Sequence, residues 1–230
     1  RVEYGMSQSE LAERLGVSRP TVARIEEGGR KLNVREQKRI SEIFELVSDV
    51  DDAFKSDVRI NIPQQKLDKF KQVLLYVLEK TGGKPNVGMT VLYKLLYFID
   101  FDYYEKYHEQ LMGLTYIKNH HGPTPKEFVK VVEDMKENGE IEEIKSKYFK
   151  HDQKKFLPIS KSDLSVLSVL EKEMIDNVLL RYSDKSATEL SNLSHIDTPW
   201  AVAEKQGDVL EYEHVFYRPA ELSVGEYDEL

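Results

Sequence analysis

The chain has 230 residues, 40% of them hydrophobic and 32% charged, with a formal net charge of −8. That length allows one large domain or two small ones, and the hydrophobic share is enough to fill a core. No apolar run reaches the roughly eighteen residues that cross a bilayer, because the richest stretch is broken by Lys94 and Asp100, so no membrane span is expected. The absence of cysteine excludes disulfide scaffolds, thiolate metal sites and cysteine nucleophiles, and fits a reducing, cytoplasmic setting.

The charge is unevenly spread. Residues 1–39 hold nine basic and six acidic side chains, a balance of +3, whereas residues 200–230 hold two basic and eight acidic, a balance of −6. A weakly basic head on an acidic body points to a small nucleic-acid-reading module joined to something else.

In chain order, Ser7-Gln8-Ser9-Glu10 reads as a capping box that opens a helix, with Leu11, Ala12 and Leu15 on its apolar face. Gly16 ends it in a position that tolerates a positive φ. Ser18 is expected to cap a second helix, with Val22 and Ile25 facing inward until Gly28-Gly29. A third helix is expected over about 34–47. The acidic stretch from Ser48 and the extended Arg59–Pro63 mark a linker, placed at 48–66.

From Leu67 the apolar period is helical again, through Phe70, Val73, Leu74, Val77 and Leu78. Thr90–Tyr107 is apolar on almost every side: Leu92, Leu95, Leu96 and Ile99 form one face, and Tyr93, Tyr97, Phe98, Phe101, Tyr103, Tyr104 and Tyr107 cover most of the rest. Such a helix is normally buried from several directions and is expected at the centre of a second domain. Leu114–His121 reads as a strand ended by Gly122-Pro123. Thr124 then caps a helix with Pro125 at its first position and Glu127 closing the box. Ile141–Phe149 and Lys154–Ile159 alternate as a hairpin turned at Asp152-Gln153. Leu164–Tyr182 is helical with Leu167, Leu170, Met174, Ile175 and Val178 inward. Ser186 and Thr198 each open a further short helix, and the last fifteen residues are expected to be peripheral. The fold class is therefore mainly α, α+β only in a minor way: a helix-turn-helix bundle, then a mostly helical domain with a small antiparallel β element.

The first two helices, separated by Gly16-Val17, have helix-turn-helix spacing. Arg19, Thr21 and Arg24 lie away from Val22 and Ile25. An arginine can grip guanine through two hydrogen bonds, and a threonine offers a hydroxyl and a methyl. Gln8 and Ser18 sit at helix starts, where side chains and free amides hold phosphates. The alternative is a plain helical hairpin with a solvated polar face. No catalytic constellation stands out. Asp100 and Asp102, two apart on a helix, diverge and are expected to bond to backbone or to a tyrosine hydroxyl. His120 and His121 point to opposite faces if extended, so they do not converge on one metal, and His121 reads as a structural residue at a strand-to-helix junction. Gly82-Gly83-Lys84 lacks the spacing of a phosphate loop. Neither a metal site nor a cofactor is expected.

The segment from Met6 through Ser-Gln-Ser-Glu-Leu-Ala-Glu-Arg-Leu-Gly-Val-Ser-Arg-Pro-Thr-Val-Ala-Arg-Ile-Glu-Glu to Gly28 resembles the DNA-binding core of the Xre/Cro-type repressors. That resemblance implies that Gln8 contacts phosphate and that Arg19, Thr21 and Arg24 face the bases. The first helix of that family normally precedes the position of Ser7, so the sequence is expected to begin inside it. A second resemblance covers about 67–215. Lys94-Leu-Leu-Tyr-Phe-Ile-Asp-Phe101, His121-Gly-Pro-Thr-Pro125, Ser186-Ala-Thr-Glu-Leu190 and Thr198-Pro-Trp200 are similar to the Panacea domain, the SocA-like antitoxin domain of bacterial and phage toxin–antitoxin modules. It implies a mainly helical domain that neutralises a protein toxin, and gives the division 1–47, 48–66 and 67–230. The expected partners are a cognate toxin, operator DNA and a second copy of the chain in a homodimer, because one small reading head buries too little surface for high specificity. Two other roles fit the same sequence: a repressor sensing a small molecule in a pocket of Tyr93, Tyr97 and Tyr104, and an adaptor delivering a toxin to a protease.

Overall fold

The computed structural model describes residues 7–33, 35–36, 39–40, 64–148 and 151–225. The chain divides into two compact units, Arg1–Val50 and Asp51–Leu230. It is mainly helical, with two small antiparallel two-stranded sheets among the described residues.

In the first unit, α1 (Gln8–Leu15) and α2 (Arg19–Glu26) pack through Leu11, Ala12, Leu15 and Val22, with Val17 and Ile40 against them. The expected capping box is present: the Ser7 amide donates to Glu10 Oε2 at 2.8 Å and the Glu10 amide to Ser7 Oγ at 3.2 Å. Gly16 takes the left-handed conformation (φ 70°) that closes α1, a geometry that disfavours a side chain. Ser18 precedes α2 in extended conformation but caps no amide; its hydroxyl shares a hydrogen bond with Thr21 Oγ1 at 2.9 Å instead. Residues 35–36 and 39–40 are helical, and the rest of the third helix expected over 34–47 lies outside the described residues. A second reciprocal box starts it: the Glu36 amide donates to Asn33 Oδ1 at 2.8 Å, and the Asn33 amide to Glu36 Oε2 at 3.0 Å. The expected linker lies outside the described residues up to Pro63, and Gln64 is already helical.

The second unit is built around one helix. It contains α3 (Gln64–Thr81), α4 (Met89–Tyr107), β1 (Tyr116–Ile117), β2 (Thr124–Pro125), α5 (Phe128–Glu137), β3 (Ile141–Tyr148), β4 (His151–Pro158), a 3-10 turn Leu164–Val166, α6 (Val169–Tyr182), α7 (Ala187–Ile196), α8 (Thr198–Val202) and a 3-10 segment Tyr212–Tyr217. The centre is α4, as its all-round apolarity requires: α6, α7, β2, β4 and the 3-10 segment pack against it, and Leu95, Leu96, Tyr97, Ile99 and Phe101 are fully buried. Each such side chain is worth roughly 1.5–3 kcal/mol of burial. The aromatic positions interlock: Phe101 stacks on Tyr212 (4.3 Å), Tyr97 meets Tyr116 edge-on (5.7 Å), and Tyr93 meets Phe128 edge-on (4.7 Å).

Four expectations are corrected. The strand expected over Leu114–His121 shrinks to β1, because its pairing stops where Asn119–Gly122 turns; the Gly122 amide donates to Asn119 O. Thr124-Pro125 does not open a helix but pairs with β1 as β2. The ladder continues through the Lys126 amide to Thr115 O, and the Glu127 carboxylate accepts from the Thr115 amide at 3.0 Å, so α5 starts only at Phe128. Asp152 and Gln153 are not a turn; β4 begins at His151 and pairs residue for residue with β3. The helix expected from Leu164 is a 3-10 turn over Leu164–Val166, after which a capping box of Ser168 and Glu171 starts α6. Of the residues expected inward, Met174, Ile175 and Val178 are buried, Leu167 is half-buried and Leu170 is exposed.

The fifth expectation, a peripheral end to the chain, fails for the described residues up to Gly225. Leu222 is buried, and the Arg218 side chain is wholly inaccessible. It donates to Asp102 of α4 (2.7 Å), Glu105 of α4 (2.9 Å) and, through Nε and Nη2, to both carboxylate oxygens of Asp197 (2.8 Å each). Arg181 of α6 also pairs with Asp102, and Tyr97 donates to Asp197 at 2.8 Å. Glu105 further accepts from Ser223 Oγ (2.5 Å) and the Val224 amide (3.2 Å). Burial opposes the charge of Arg218, but the carboxylates of Asp102 and Asp197 outweigh it and hold its pKa well above the ordinary arginine value. Replacing one member of such a group strands the others as buried charges, at a cost of about 3–5 kcal/mol. Arg218→Met is therefore expected to lower the stability of the second unit by that amount in urea denaturation, and a midpoint equal to that of the parent chain would refute the role given to Arg218.

Candidate functional site

The first candidate lies on α1 and α2. Arg19, in the first turn of α2, and Arg24, in its last, are exposed, and Thr21 is half-buried. Thr21 and Arg24, three apart, lie on one side of the helix, with Val22 opposite and buried. Ile25, expected inward, is half-buried. Gln8 does not point into open solvent: its side-chain amide donates to Glu26 Oε2 at the far end of α2 at 2.9 Å, tying the start of one helix to the end of the other. Ser18 is engaged with Thr21. The five residues thus share one module, three of them on α2 and two linked to it by hydrogen bonds. Pro20 costs nothing in the first turn, where its missing amide would be unpaired in any case.

The second candidate is in the larger unit, where three of the four motifs singled out in the sequence, those of Lys94, His121–Pro123 and Trp200, meet the part of α7 that follows the fourth. Gly122 adopts φ +99° and sits against Lys94 of α4 and Ser194 of α7; a Cβ there would lie 2.9 Å from Lys94 Cε and 3.2 Å from its Nζ. Lys94 is buried and its ammonium reaches Pro123 O at 3.4 Å. Ser191 donates to His121 O at 2.9 Å, and Ser194 to Ser191 O at 2.8 Å. Beside them, His195 stacks on Trp200 (4.0 Å between ring centres, 19° apart), Lys118 Nζ lies 4.0 Å above the same indole, and Trp200 Nε1 donates to Asn119 O at 3.2 Å. The His195 Nε2 atom is buried without a hydrogen-bond partner.

This is a packed, cation-rich junction of α4, the β1–β2 turn, α7 and α8. Burial, helped by Lys94 and then by His120 and His195, lowers the His121 pKa to about 4. Burial and the two lysines lower that of His195 as well. Both imidazoles are therefore held neutral near pH 7. Among the described residues, no group of His, Asp and Glu is placed to hold a metal ion, and no helix is long and apolar enough to cross a membrane.

The acidic pair of α4 diverges as expected of residues two apart. Asp100 accepts from the Met112, Gly113 and Leu114 amides (2.8, 3.2 and 3.2 Å) and from the Tyr212 hydroxyl (2.7 Å), fixing the loop after α4. Burial pushes its carboxyl above the usual range, while the tyrosine and the three amides pull the other way. Asp102 bonds to arginines rather than to backbone or tyrosine. Tyr93 and Tyr97 are core residues, and Tyr104 lies nearer the rim, bonded to Glu213 at 3.1 Å. The arginine–carboxylate group and the histidine–indole stack escaped the sequence reading. The first had a signal in Arg218, one of only two basic residues after position 199.

Comparison with known families gives two matches. The model of the antitoxin SocA-like Panacea domain matches residues 92–201, and that of a helix-turn-helix domain matches residues 1–49. No curated protein and no solved structure matches the chain significantly.

The neutral state of His121 has a consequence for stability. The unfolded chain takes up its proton near pH 6.5, whereas the folded chain does so only near 4. The contribution is complete above about pH 6.5 and is lost as pH falls toward 4. The melting temperature of the parent is expected to fall more between pH 7.5 and pH 5 than that of His121→Asn, measured by calorimetry. Parallel pH profiles would show that His121 titrates normally.

Proposed function

We propose that this chain, which joins a helix-turn-helix module to a SocA-like Panacea domain, is the antitoxin of a toxin–antitoxin module. In this reading the domain from about Leu67 binds a cognate protein toxin and neutralises it, and the helix-turn-helix binds the operator of its own operon as a homodimer. The observation that carries the reading is the union of the two domains in one chain. The all-round burial of α4 supports it too, since Tyr93 and Tyr97 serve the core rather than a metabolite pocket, which weighs against a small-molecule sensor.

On the DNA side, Arg19, Thr21 and Arg24 would face base edges, with Gln8 and Ser18 near the backbone. Since Gln8 is held by Glu26, a phosphate contact by Gln8 requires that bond to open or to be shared. Two heads related by a two-fold axis would read a pseudo-palindromic operator with half-sites one helical turn apart. Arg24→Ala is expected to weaken operator binding by roughly 1–3 kcal/mol and to leave toxin neutralisation intact, as measured by mobility shift beside growth rescue. Equal loss of both activities would contradict separable modules.

The antitoxin role is tested by inducing the product of the adjacent gene in a host cell with and without this chain. Toxicity that disappears on co-expression is the expected result, and a chain beginning at Gln65 should still rescue. A harmless adjacent product, or toxicity without rescue, rejects the reading.

A further inference from the structure

We propose that two copies of the chain associate through the outer edge of β3, the two strands pairing antiparallel across a two-fold axis at Ile144. The proposal rests on the homodimer of the operator-binding reading and assigns the surface that joins its two copies.

The register of the hairpin decides which way its main chain points. Strands β3 and β4 pair residue for residue, from Ile141 opposite Pro158 to Tyr148 opposite His151. The Ile159 amide donates to Glu140 O at 2.8 Å, so this pair is a hydrogen-bonded one. Such pairs alternate along an antiparallel ladder. Glu142, Ile144, Ser146 and Tyr148 therefore bond to β4, and the amides and carbonyls of Ile141, Glu143, Lys145 and Lys147 point outward. The matching carbonyls of β4 face the 82–88 loop: a Cβ on Gly82 would lie 3.5 Å from Phe156 O, and one on Gly88 3.3 Å from Lys154 O. The edge of β3 is the one turned away from that loop. Among the described residues no third strand lies beside it, and Ile141, Glu143 and Lys145 make no backbone hydrogen bond outside the hairpin. Helix α5 packs beneath one face of the hairpin, where Phe128 meets Phe156 edge-on at 6.0 Å and Lys136 pairs with Glu143 at 2.8 Å.

An open edge of eight residues invites pairing unless its side chains forbid it. Lys145 and Lys147 are exposed and discourage an arbitrary strand, yet the order Glu142-Glu143-Ile144-Lys145-Ser146-Lys147 suits one pairing. With the axis at Ile144, Glu143 faces Lys145 of the second copy, and Lys145 faces its Glu143. These are opposite-charge pairs on one side of the sheet. On the other side, the half-buried Ile144 meets Ile144 of the second copy. Moving the axis by one residue sets glutamate on glutamate at 143 or lysine on lysine at 145, which disfavours the neighbouring registers. The pairing creates a four-stranded sheet with about eight new main-chain hydrogen bonds. It also brings two helix-turn-helix modules into one particle, as a two-fold operator requires.

Because the chain has no cysteine, disulfide trapping in the full chain reads the register directly. Ile144→Cys sets two thiols directly opposite each other in a non-hydrogen-bonded pair, about 4.5 Å apart at Cα, within reach of a disulfide. Ser146→Cys separates them by roughly 13 Å along the strand. Under mild oxidation the first is expected to run as a covalent dimer and the second as a monomer. In sedimentation velocity over a concentration series, Lys145→Glu is expected to weaken self-association about tenfold with an unchanged melting temperature. Glu143→Lys combined with Lys145→Glu is expected to restore it. A dimer whose Ile144→Cys form cross-links no better than Ser146→Cys overturns the assigned surface and leaves the homodimer standing. A parent chain that stays monomeric, alone and on operator DNA, removes the homodimer and the proposal with it. If Lys145→Glu loses binding to the product of the adjacent gene and keeps its self-association, the edge receives a strand of that product instead, and the proposal is overturned.

Discussion

Burying a guanidinium away from water is costly unless carboxylates surround it, and the larger unit depends on meeting that condition at Arg218. Its donors lie in a fixed plane, and they make four hydrogen bonds to carboxylates of α4 and of the α7–α8 junction. Hydrophobic contacts alone would allow α4 to slide or rotate among its neighbours, since most of its surface is apolar. Directional bonds to Asp102 and Glu105 specify one register and one rotation. The same arginine sets the height of α8 against the 3-10 segment, so the outer face of the domain takes its shape from an interaction at its centre.

The two units are built along different physical lines. Among its described residues the small one packs a few aliphatic side chains and is further defined by caps and turns. The large one buries nearly all of its central helix and keeps His121 and His195 neutral at a junction that holds Lys94 and Lys118. Its buried polar groups hold distant segments in register, Arg218 across α4 and the α7–α8 junction and Asp100 across the loop after α4.

Much of this was legible in the sequence because local rules act there without competition. Ser7 with Glu10, Gly16, and Ser186 with Glu189 announce their helix ends through bonds that span three or four residues. The apolarity of Leu92–Phe101 announces burial whatever covers it. The errors came where a distant partner decided the outcome. Thr124-Pro125-Lys-Glu127 has the form of a helix start, yet Thr115 claims both the Lys126 amide and the Glu127 carboxylate. The acidic composition of the last segment suggested a solvated tail, while its single arginine has a wholly inaccessible side chain. Gln8 stands where such modules hold phosphate, but Glu26, eighteen residues away, takes its amide. No periodicity reveals a bond of that kind.

The long sequence separation of the arginine group also orders events in time. Asp102 and Glu105 precede Arg218 by 116 and 113 residues. During synthesis from the N-terminus, α4 therefore leaves the ribosome with its carboxylates uncompensated and its aromatic surface bare. The small module, whose contacts are local, is complete long before. A partly made chain is in this way already equipped with its helix-turn-helix while its larger unit is still open to chaperones and proteases. Only a chain extended past Arg218 supplies the guanidinium that closes it.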